Sequence, residues 1–557
     1  WHLLDTGQKG AAAGSDIKVT NVWERYRGQR VVVAVVDDGV QYTHPDLAEA
    51  FGPVRGTDVR AGDDDPRAEG FPGVNRFDEP LADSHGTAVS GLIAARANNQ
   101  LGGAGVAYEA TLMGVRLLGG FAGDDQEGQA LSYNPQVVQI SNNSWGSEDD
   151  GETLGGAGDL ALQAIRNGAL TGRGGLGTIY VFAGGNGGEL DDHANCDTYV
   201  NSIYTIGVGA LNDRGRKATY SERGSCLIVS AAGGNDGFRF QGVTTTDLRG
   251  SFGFNYPGAG NFALPELEDR DYTQLFSGTS AAAPIVSGVV ALMLQANPNL
   301  GWRDVQEVLI RSATQTEPQD LEWMTNGAGL RFNPKFGSGL VNAEGAVMLA
   351  ETWTNLAAQT SASATLASVN QRVDFLGNVS EVSVTMDADI RVEHVTLRID
   401  AAVATRGGLE IWLESPEGTF SPMAEPRVDW ESDYEYTFMS VFNWGERSKG
   451  EWKIHLWDSG WFEPEPGYPT ELRNATLTVY GTASASRPTL GMVRLEADGI
   501  HVGVRGEAGR RYELQRTRDF QTWQSAAIRE APAPDFELID IAAPEGNNFF
   551  RVLVRED

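Results

Sequence analysis

Two periodicities divide the chain. Up to about residue 350, short continuous apolar runs alternate with small-residue stretches of helical spacing; the runs lie at 31–36, 111–118, 136–140, 178–182 and 203–208. A run apolar on both faces predicts a strand buried in a parallel sheet, with helices covering each side. This part therefore predicts an α/β fold. Glycine-rich stretches between the runs predict long surface loops, the usual walls of a site. At 351–368 threonine, serine, alanine and asparagine accumulate, which predicts a linker. From Val373 the pattern turns to period two, clearest at 392–399, 409–413 and 451–457, and predicts a β-sandwich. A second small-residue linker at 483–488 precedes further alternation at 512–515 and 549–553, a small all-β module. The expected boundaries are 1–351, 352–482 and 486–557.

Three element ends carry reactive side chains. The first run ends in Asp37-Asp38-Gly39, which puts two carboxylates at the carboxyl edge of the sheet, where open α/β sheets bind ligands. His85 opens a small-residue helix in Asp83-Ser84-His85-Gly86-Thr87. Ser280 follows Ser277-Gly278-Thr279 at the head of an apolar helix, where free N–H groups and the helix dipole favour a developing negative charge. Each alone reads equally as a helix cap or a surface residue. Together they supply an orienter, a base and a nucleophile, in the order Asp, His, Ser used by subtilisin.

On these segments the chain resembles the subtilases, and within them the kexin and furin branch. Asn201-Ser202-Ile203-Tyr204, Thr245-Thr246-Asp247-Leu248 and the stretch 296–306 add to the resemblance. Ser415-Pro416-Glu417-Gly418-Thr419 and Gly450-Glu451-Trp452 resemble the P domain of that branch. The resemblance covers nearly all of 1–482. It implies an α/β subtilisin-like catalytic domain with a mostly parallel central sheet, then a β-sandwich P domain. The last module resembles small β-modules appended to secreted bacterial enzymes. The implied triad is Asp37, His85 and Ser280; Asp37 is preferred to Asp38 because the family pattern Asp-x-Gly uses its first acid. Asn186, after the apolar run and Gly184-Gly185, is implied as the oxyanion amide, with Gly-Gly-Asn where the family has Ser-Gly-Asn.

The branch cleaves after basic residues, so the resemblance also implies acidic subsites. Asp149 and Asp197 match the pair that receives a P1 arginine, whose planar fork suits carboxylates. Asp38 and Asp83 would face P2. Glu127 and Tyr199 match part of the P4 pocket, whose second acid is Gly155 here. Calcium, a hard cation that takes carboxylate and carbonyl oxygens, is the implied cofactor at three sites. The first combines Asp46 with Arg96, Asn99, Leu101 and Gly103, the family's further ligand falling before Trp1. The second is Asp58, Asp63 and Asp65; the third is Asp149, Asp192 and Glu222. The chain has two cysteines, Cys196 and Cys226. Such a pair can stay reduced, but the resemblance and a secreted setting imply one disulfide.

Composition bounds the rest. A chain of 557 residues exceeds one core. With 43 basic and 75 acidic residues the formal charge is −32, which excludes nucleic acid and anionic membrane surfaces as partners. It suits calcium and cationic substrates, although a solvated acidic surface explains most of it. The apolar stretch at 281–296 is too short to span a bilayer. The expectation is a secreted, monomeric, calcium-dependent serine endopeptidase acting on peptides or proteins with basic, preferably dibasic, cleavage sites. Periplasmic transit is one route out, and a propeptide or chaperone serves maturation. The alternatives are a broad-specificity subtilisin and an inactive adhesive scaffold.

Overall fold

The computed structural model describes residues 1–10, 13–74, 80–234, 241–250, 252–255, 267–366, 371–373, 379–459, 470–483, 489–506, 508–542 and 548–555. Seven strands form the central sheet: β1 (Val32–Asp37), β2 (Phe51–Asp58), β3 (Thr111–Arg116), β4 (Ile140–Asn143), β5 (Ile179–Ala183), β6 (Thr205–Leu211) and β7 (Leu227–Ala232). Their order is β2-β3-β1-β4-β5-β6-β7, every pairing parallel. The apolar runs work as the sequence predicts, because both faces of β1 are covered. Val33 and Val35 join the main core, while Ala34 and Val36 join a smaller cluster with Met113 and Ala130.

Six helices enclose the sheet: α1 (His85–Ala94), α2 (Asp124–Leu131), α3 (Asp159–Thr171), α4 (Thr279–Ala296), α5 (Trp302–Ser312) and α6 (Ala343–Glu351). α4 is apolar on all sides because it runs through the main core, with its residues from Ala281 to Leu294 buried. One predicted strand moves. The run at 136–140 yields a strand only from Ile140, and the strand continues through the polar Ser141, Asn142 and Asn143, all buried. These side chains find partners inside: Asn142 Oδ1 accepts from Ser287 Oγ of α4 at 2.8 Å, and Asn143 Nδ2 donates to the Val181 carbonyl at 3.2 Å. Burial of a polar group is tolerated when it is hydrogen-bonded.

After α6 the fold becomes two packed antiparallel sheets. One orders the strands Gln359–Leu366, Thr470–Ala483, Ile390–Ala402 and Tyr434–Ser440, with Gln371–Val373 beside the second. The other orders Ser380–Met386, Gly450–Asp458, Leu409–Glu414 and Phe420–Ala424. Alternate residues such as Leu409, Ile411 and Leu413 point into a separate core with Trp452 and Ile454.

The change of fold near residue 352 is not a break in packing. Met439, Val441, Phe442 and Trp444 of the sandwich belong to the main α/β core, and the Phe442 ring stacks on Phe332 at 5.3 Å. The Glu393 carboxylate, wholly buried, takes a two-pronged ion pair from Arg303 of α5 at 2.6 Å per contact. Residues Trp1–Thr482 form one compact unit and Ala483–Asp557 another. The second has two three-stranded antiparallel sheets around Val502, Val504, Tyr512, Leu514 and Leu538. The predicted linker residues 484–488 lie outside the described residues.

His394 sits between the Trp302 and Trp444 rings, with both ring nitrogens buried and unpartnered. Burial, helped by the Arg303 charge, lowers its pKa to about 3. Above pH ~6.5 both the folded and the unfolded chain carry it neutral. As pH falls below that value the unfolded chain takes up the proton first. Stability then drains by about 1.4 kcal/mol per pH unit until about pH 3. Denaturant unfolding at a series of pH values checks this: His394→Phe should lose less stability between pH 6.5 and 4 than the parent, and equal losses would disprove the assignment.

Candidate active site

β1 delivers two carboxylates to the edge of the sheet, and they turn to different partners. Asp37, fully buried, accepts a hydrogen bond from His85 Nδ1 on Oδ1 at 2.8 Å. Asp38 reaches the head of α1, where Oδ2 accepts from the His85 N–H at 3.0 Å and Oδ1 from the Gly86 N–H at 2.7 Å. An anion there satisfies orphan donors and meets the positive end of the helix dipole. The close approach needs a glycine: a Cβ on Gly86 would sit 2.2 Å from the Gly39 carbonyl. Burial lowers the basicity of His85, but the charge and hydrogen bond of Asp37, with the Asp38 charge, outweigh it and raise the pKa to about 9. Burial and the Asp37 charge hold the Asp38 carboxyl well above the usual range.

Ser280 stands in the first turn of α4. Two features fix that turn. Gly278 adopts φ 100° and ψ 168°, a conformation open essentially to glycine alone. Pro284, four residues after Ser280, has no N–H to give its carbonyl. The hydroxyl of Ser144 takes that role, donating to the Ser280 carbonyl at 3.0 Å, while Ser280 Oγ donates back to the Ser144 carbonyl at 3.2 Å. The Ser280 hydroxyl thus rests on the Ser144 carbonyl rather than on His85. Catalytic hydrogen bonds are often open without substrate. Asn186 faces the same turn. Its Oδ1 accepts from the Thr279 N–H at 2.8 Å and the Thr279 hydroxyl at 2.9 Å, which fixes the amide plane and turns Nδ2 toward Asp149.

Beside Asn186 the acids gather. Asp149 accepts from the Asn186 N–H at 3.0 Å and from Nδ2 at 3.4 Å. Asp149, Asp192, Asp197 and Glu222 line one cavity of about 10 Å³ with Ser147, Thr153 and Cys196, room for a single ion or water. Asp197, buried, accepts from the N–H groups of Tyr199 at 2.7 Å and Ser147 at 3.1 Å, yet burial still raises its pKa to about 6. Burial and the charges of Asp192 and Asp149 push Glu222 well above its usual range. Relieving such crowding is what a cation does. At the first expected calcium site Asp46 is fully buried and Oδ2 has no partner, while Asn99 Nδ2 donates to Oδ1 at 2.6 Å. The backbone of Arg96 is nearby, its N–H bonded to the Asp46 carbonyl at 3.0 Å. Glu127 and Tyr199 meet, the phenol donating at 2.6 Å.

Four expectations need correction. The second calcium set does not assemble, because Asp58 accepts from Arg116 at 2.8 Å and from the N–H groups of Arg60 and Ala61. Asp65 pairs with Arg67 at 2.6 Å and with Tyr42, and Asp63 Oδ1 accepts the Asp65 N–H. Asp83 is not an open P2 acid; Arg116 donates to it at 2.7 Å. Asp38 is likewise engaged at the helix. Cys196 and Cys226 are both free and buried, so the expected disulfide is absent; burial pushes Cys196 up to about 12 and keeps both thiols protonated, as small apolar fillers. Among the described residues, the only sets of three His, Cys, Asp or Glu ligand atoms within 4.8 Å of one another are Glu381, Glu414, His455 and Glu496, Asp498, His501, none of them an expected ligand. Sequence reasoning missed Arg116, Ser144 and Thr279. The proline five positions beyond Thr279 was the available signal for an orphan carbonyl, and Arg116 had none.

Comparisons with known proteins bear on the family and the fold. The subtilase family model matches residues 28–339, and the proprotein convertase P-domain model matches 392–468. The chain is 38% identical over 472 residues to PC3-like endoprotease variant B of Hydra vulgaris, covering 82% of this chain and 62% of that one. It is 34% identical over 502 residues to Furin-1 of Xenopus laevis, covering 87% of this chain and 58% of the relative. It thus spans about three-fifths of the length of these two relatives. The structure of the serine protease of Aeromonas sobria superposes with a TM-score of 0.76 at 26% identity, covering 86% of this chain and 94% of that one. The chain therefore belongs to the subtilase family, and its residues 392–468 match the proprotein convertase P-domain.

Proposed function

We propose that the protein is a serine endoprotease that cleaves after basic residues. The observation that carries the specificity is the set of carboxylates beside Asn186, which has no basic side chain paired to Asp149, Asp197 or Glu222 among the described residues. A P1 arginine supplies the missing cation. Selection is concentrated at P1, because Asp38 and Asp83 are already engaged inside the protein.

The chemistry follows from the groups in place. Ser280 Oγ rotates from Ser144 to His85, bonds to the scissile carbonyl carbon and gives its proton to Nε2. Asp37 holds the tautomer and stabilises the imidazolium. The oxyanion meets Asn186 Nδ2 and the Ser280 N–H at the head of α4. Collapse breaks the C–N bond, and the amine leaves with the proton from His85. Water then repeats the sequence on the acyl-enzyme, freeing the acid and restoring Ser280. Because His85 must be neutral to act, activity falls as pH drops through its ionisation, which lies above the ordinary value for histidine.

Calcium fits the first expected site, where Asp46 has an unpartnered buried oxygen; at the third, Asp149 and Glu222 line one small cavity without a basic partner, while Asp192 is already paired with Arg427. Calcium would act there as a structural ion that offsets repulsion. A calcium-rich compartment outside the cytosol suits this. A chaperone or propeptide is proposed for maturation; the Aeromonas sobria serine protease, similar at TM-score 0.76 and 25% identity over 87% of this chain and 94% of that one, is seen in complex with the chaperone ORF2.

Four outcomes test the reading. Ser280→Ala should lose roughly 10⁶-fold in turnover with the fold intact, and Asn186→Ala about 10²–10³-fold in kcat with KM little moved; substantial peptidase activity in pure Ser280→Ala protein would sink the mechanism. Excess EGTA should lower the Tm relative to millimolar calcium, since an ion bound only by the folded state stabilises it; superimposable melting curves would remove calcium from the account. Asp197→Asn should cut kcat/KM for P1-Arg peptides by about 30-fold or more while sparing P1-Phe peptides. A parent enzyme that prefers P1 Phe would favour the broad-specificity reading instead.

A further inference from the structure

The wall of the acid pocket is held from behind by the sandwich. Arg427 follows the strand Phe420–Ala424, and its side chain is 1% exposed. Nη1 donates to the Thr153 carbonyl at 2.9 Å and to Asp192 Oδ1 at 3.2 Å. Nη2 donates to the Glu152 carbonyl at 2.9 Å and to Asp429 Oδ2 at 2.6 Å. Asp429 is itself fully buried and paired with Arg406, so the guanidinium is fixed before it meets the pocket. Two residues earlier, Glu425 accepts from the ring of His193 at 2.6 Å and pairs with Arg223.

These contacts close a frame. Asp149 lies three residues before Glu152, and Asp150 turns the chain by accepting the N–H groups of Glu152 and Thr153 at 2.8 and 2.7 Å. Across the cavity Asp192 Oδ2 accepts the Gly151 N–H at 3.0 Å. One guanidinium therefore ties the segment behind Asp149 to the segment leading to Asp197. A buried cation is costly unless it is paired and its donors are satisfied; here four donor contacts meet that cost, while Nε has no partner. The planar fork spans two adjacent carbonyls and two carboxylates, which an ammonium cannot do.

We propose that Arg427 is a positioning residue for recognition of the P1 cation, so that the sandwich contributes directly to substrate selection. This rests on the reading of Asp149 and Asp197 as the carboxylates that meet a P1 cation. Arg427 touches no substrate; it sets the spacing of Asp149 and Asp197. Loss of that spacing weakens binding of a guanidinium or amidinium and leaves the Ser280 chemistry in place.

The test uses the full chain carrying Ser280→Ala, with p-aminobenzamidine as a fluorescent probe of the pocket. Adding Arg427→Met should raise the probe Kd on the order of tenfold or more, and Arg427→Lys by less, since ångström displacements of a site have effects of this order. In the active enzyme, Arg427→Met should raise KM for P1-Arg peptides with kcat within a few-fold, and leave P1-Phe peptides unmoved. Arg303→Met, at a different sandwich contact, should lower the Tm without changing the probe Kd. An unchanged Kd in folded Arg427→Met protein, or in Arg427→Lys if the methionine variant does not fold, overturns the proposal. If the Ser280→Ala parent itself fails to bind the probe, the P1 reading falls first and takes this inference with it.

Discussion

Two adjacent acids at the end of one strand cannot share one environment, and the catalytic geometry depends on how they divide. Their charges repel, so each must be met by its own positive partner. Asp37 takes the imidazole of His85, and Asp38 takes the N–H groups that open the same helix. One carboxylate thereby anchors the backbone of the base while its neighbour anchors the ring. That double hold fixes α1 against the sheet edge, where the N-terminus of α4 also arrives. The glycine at 86 allows the approach, and the turn through Gly278 aims the nucleophile at the same point.

The same logic sorts the remaining acids. A chain with formal charge −32 must account for each carboxylate it buries. Asp58 and Asp83 share Arg116, Glu393 has Arg303, and Asp429 has Arg406 and Arg427. Asp149, Asp197 and Glu222 instead receive N–H donors, which orient a carboxylate without cancelling its charge. The first group is structural and complete. The second has no basic side chain paired to it among the described residues.

Much of this was legible in the sequence, for a physical reason. Buried parallel strands and the core helix need continuous apolar runs, so β1, β5, β6 and α4 announce themselves. A nucleophile, a base and an orienter at element ends need small residues beside them, so Asp37, His85 and Ser280 stand out. β4 was misplaced because its polar residues are buried and satisfied by long-range partners such as Ser287. The acidic loop at 58–65 looked like a cation cage because sequence proximity of charges says nothing about Arg116, a partner from another strand. The cysteine pair misled because its chemistry depends on geometry and compartment, and spacing carries neither. Arg427 left no trace, since its contacts with the pocket wall lie 235 and more residues away.

The apolar segment that the sandwich lends to the α/β core has a consequence for how the protein comes into being. Phe442 and Trp444 pack in the same core as α4, yet α6 ends 93 residues before Trp444 in the chain. At typical ribosomal speeds that interval is roughly 5–20 s. Throughout it the nascent helices and sheet would stand with a gap in their interior, complete in secondary structure and short of the aromatic rings that seal it. The α/β core is thus sealed only after translation has passed Trp444, so the two folds mature as one unit.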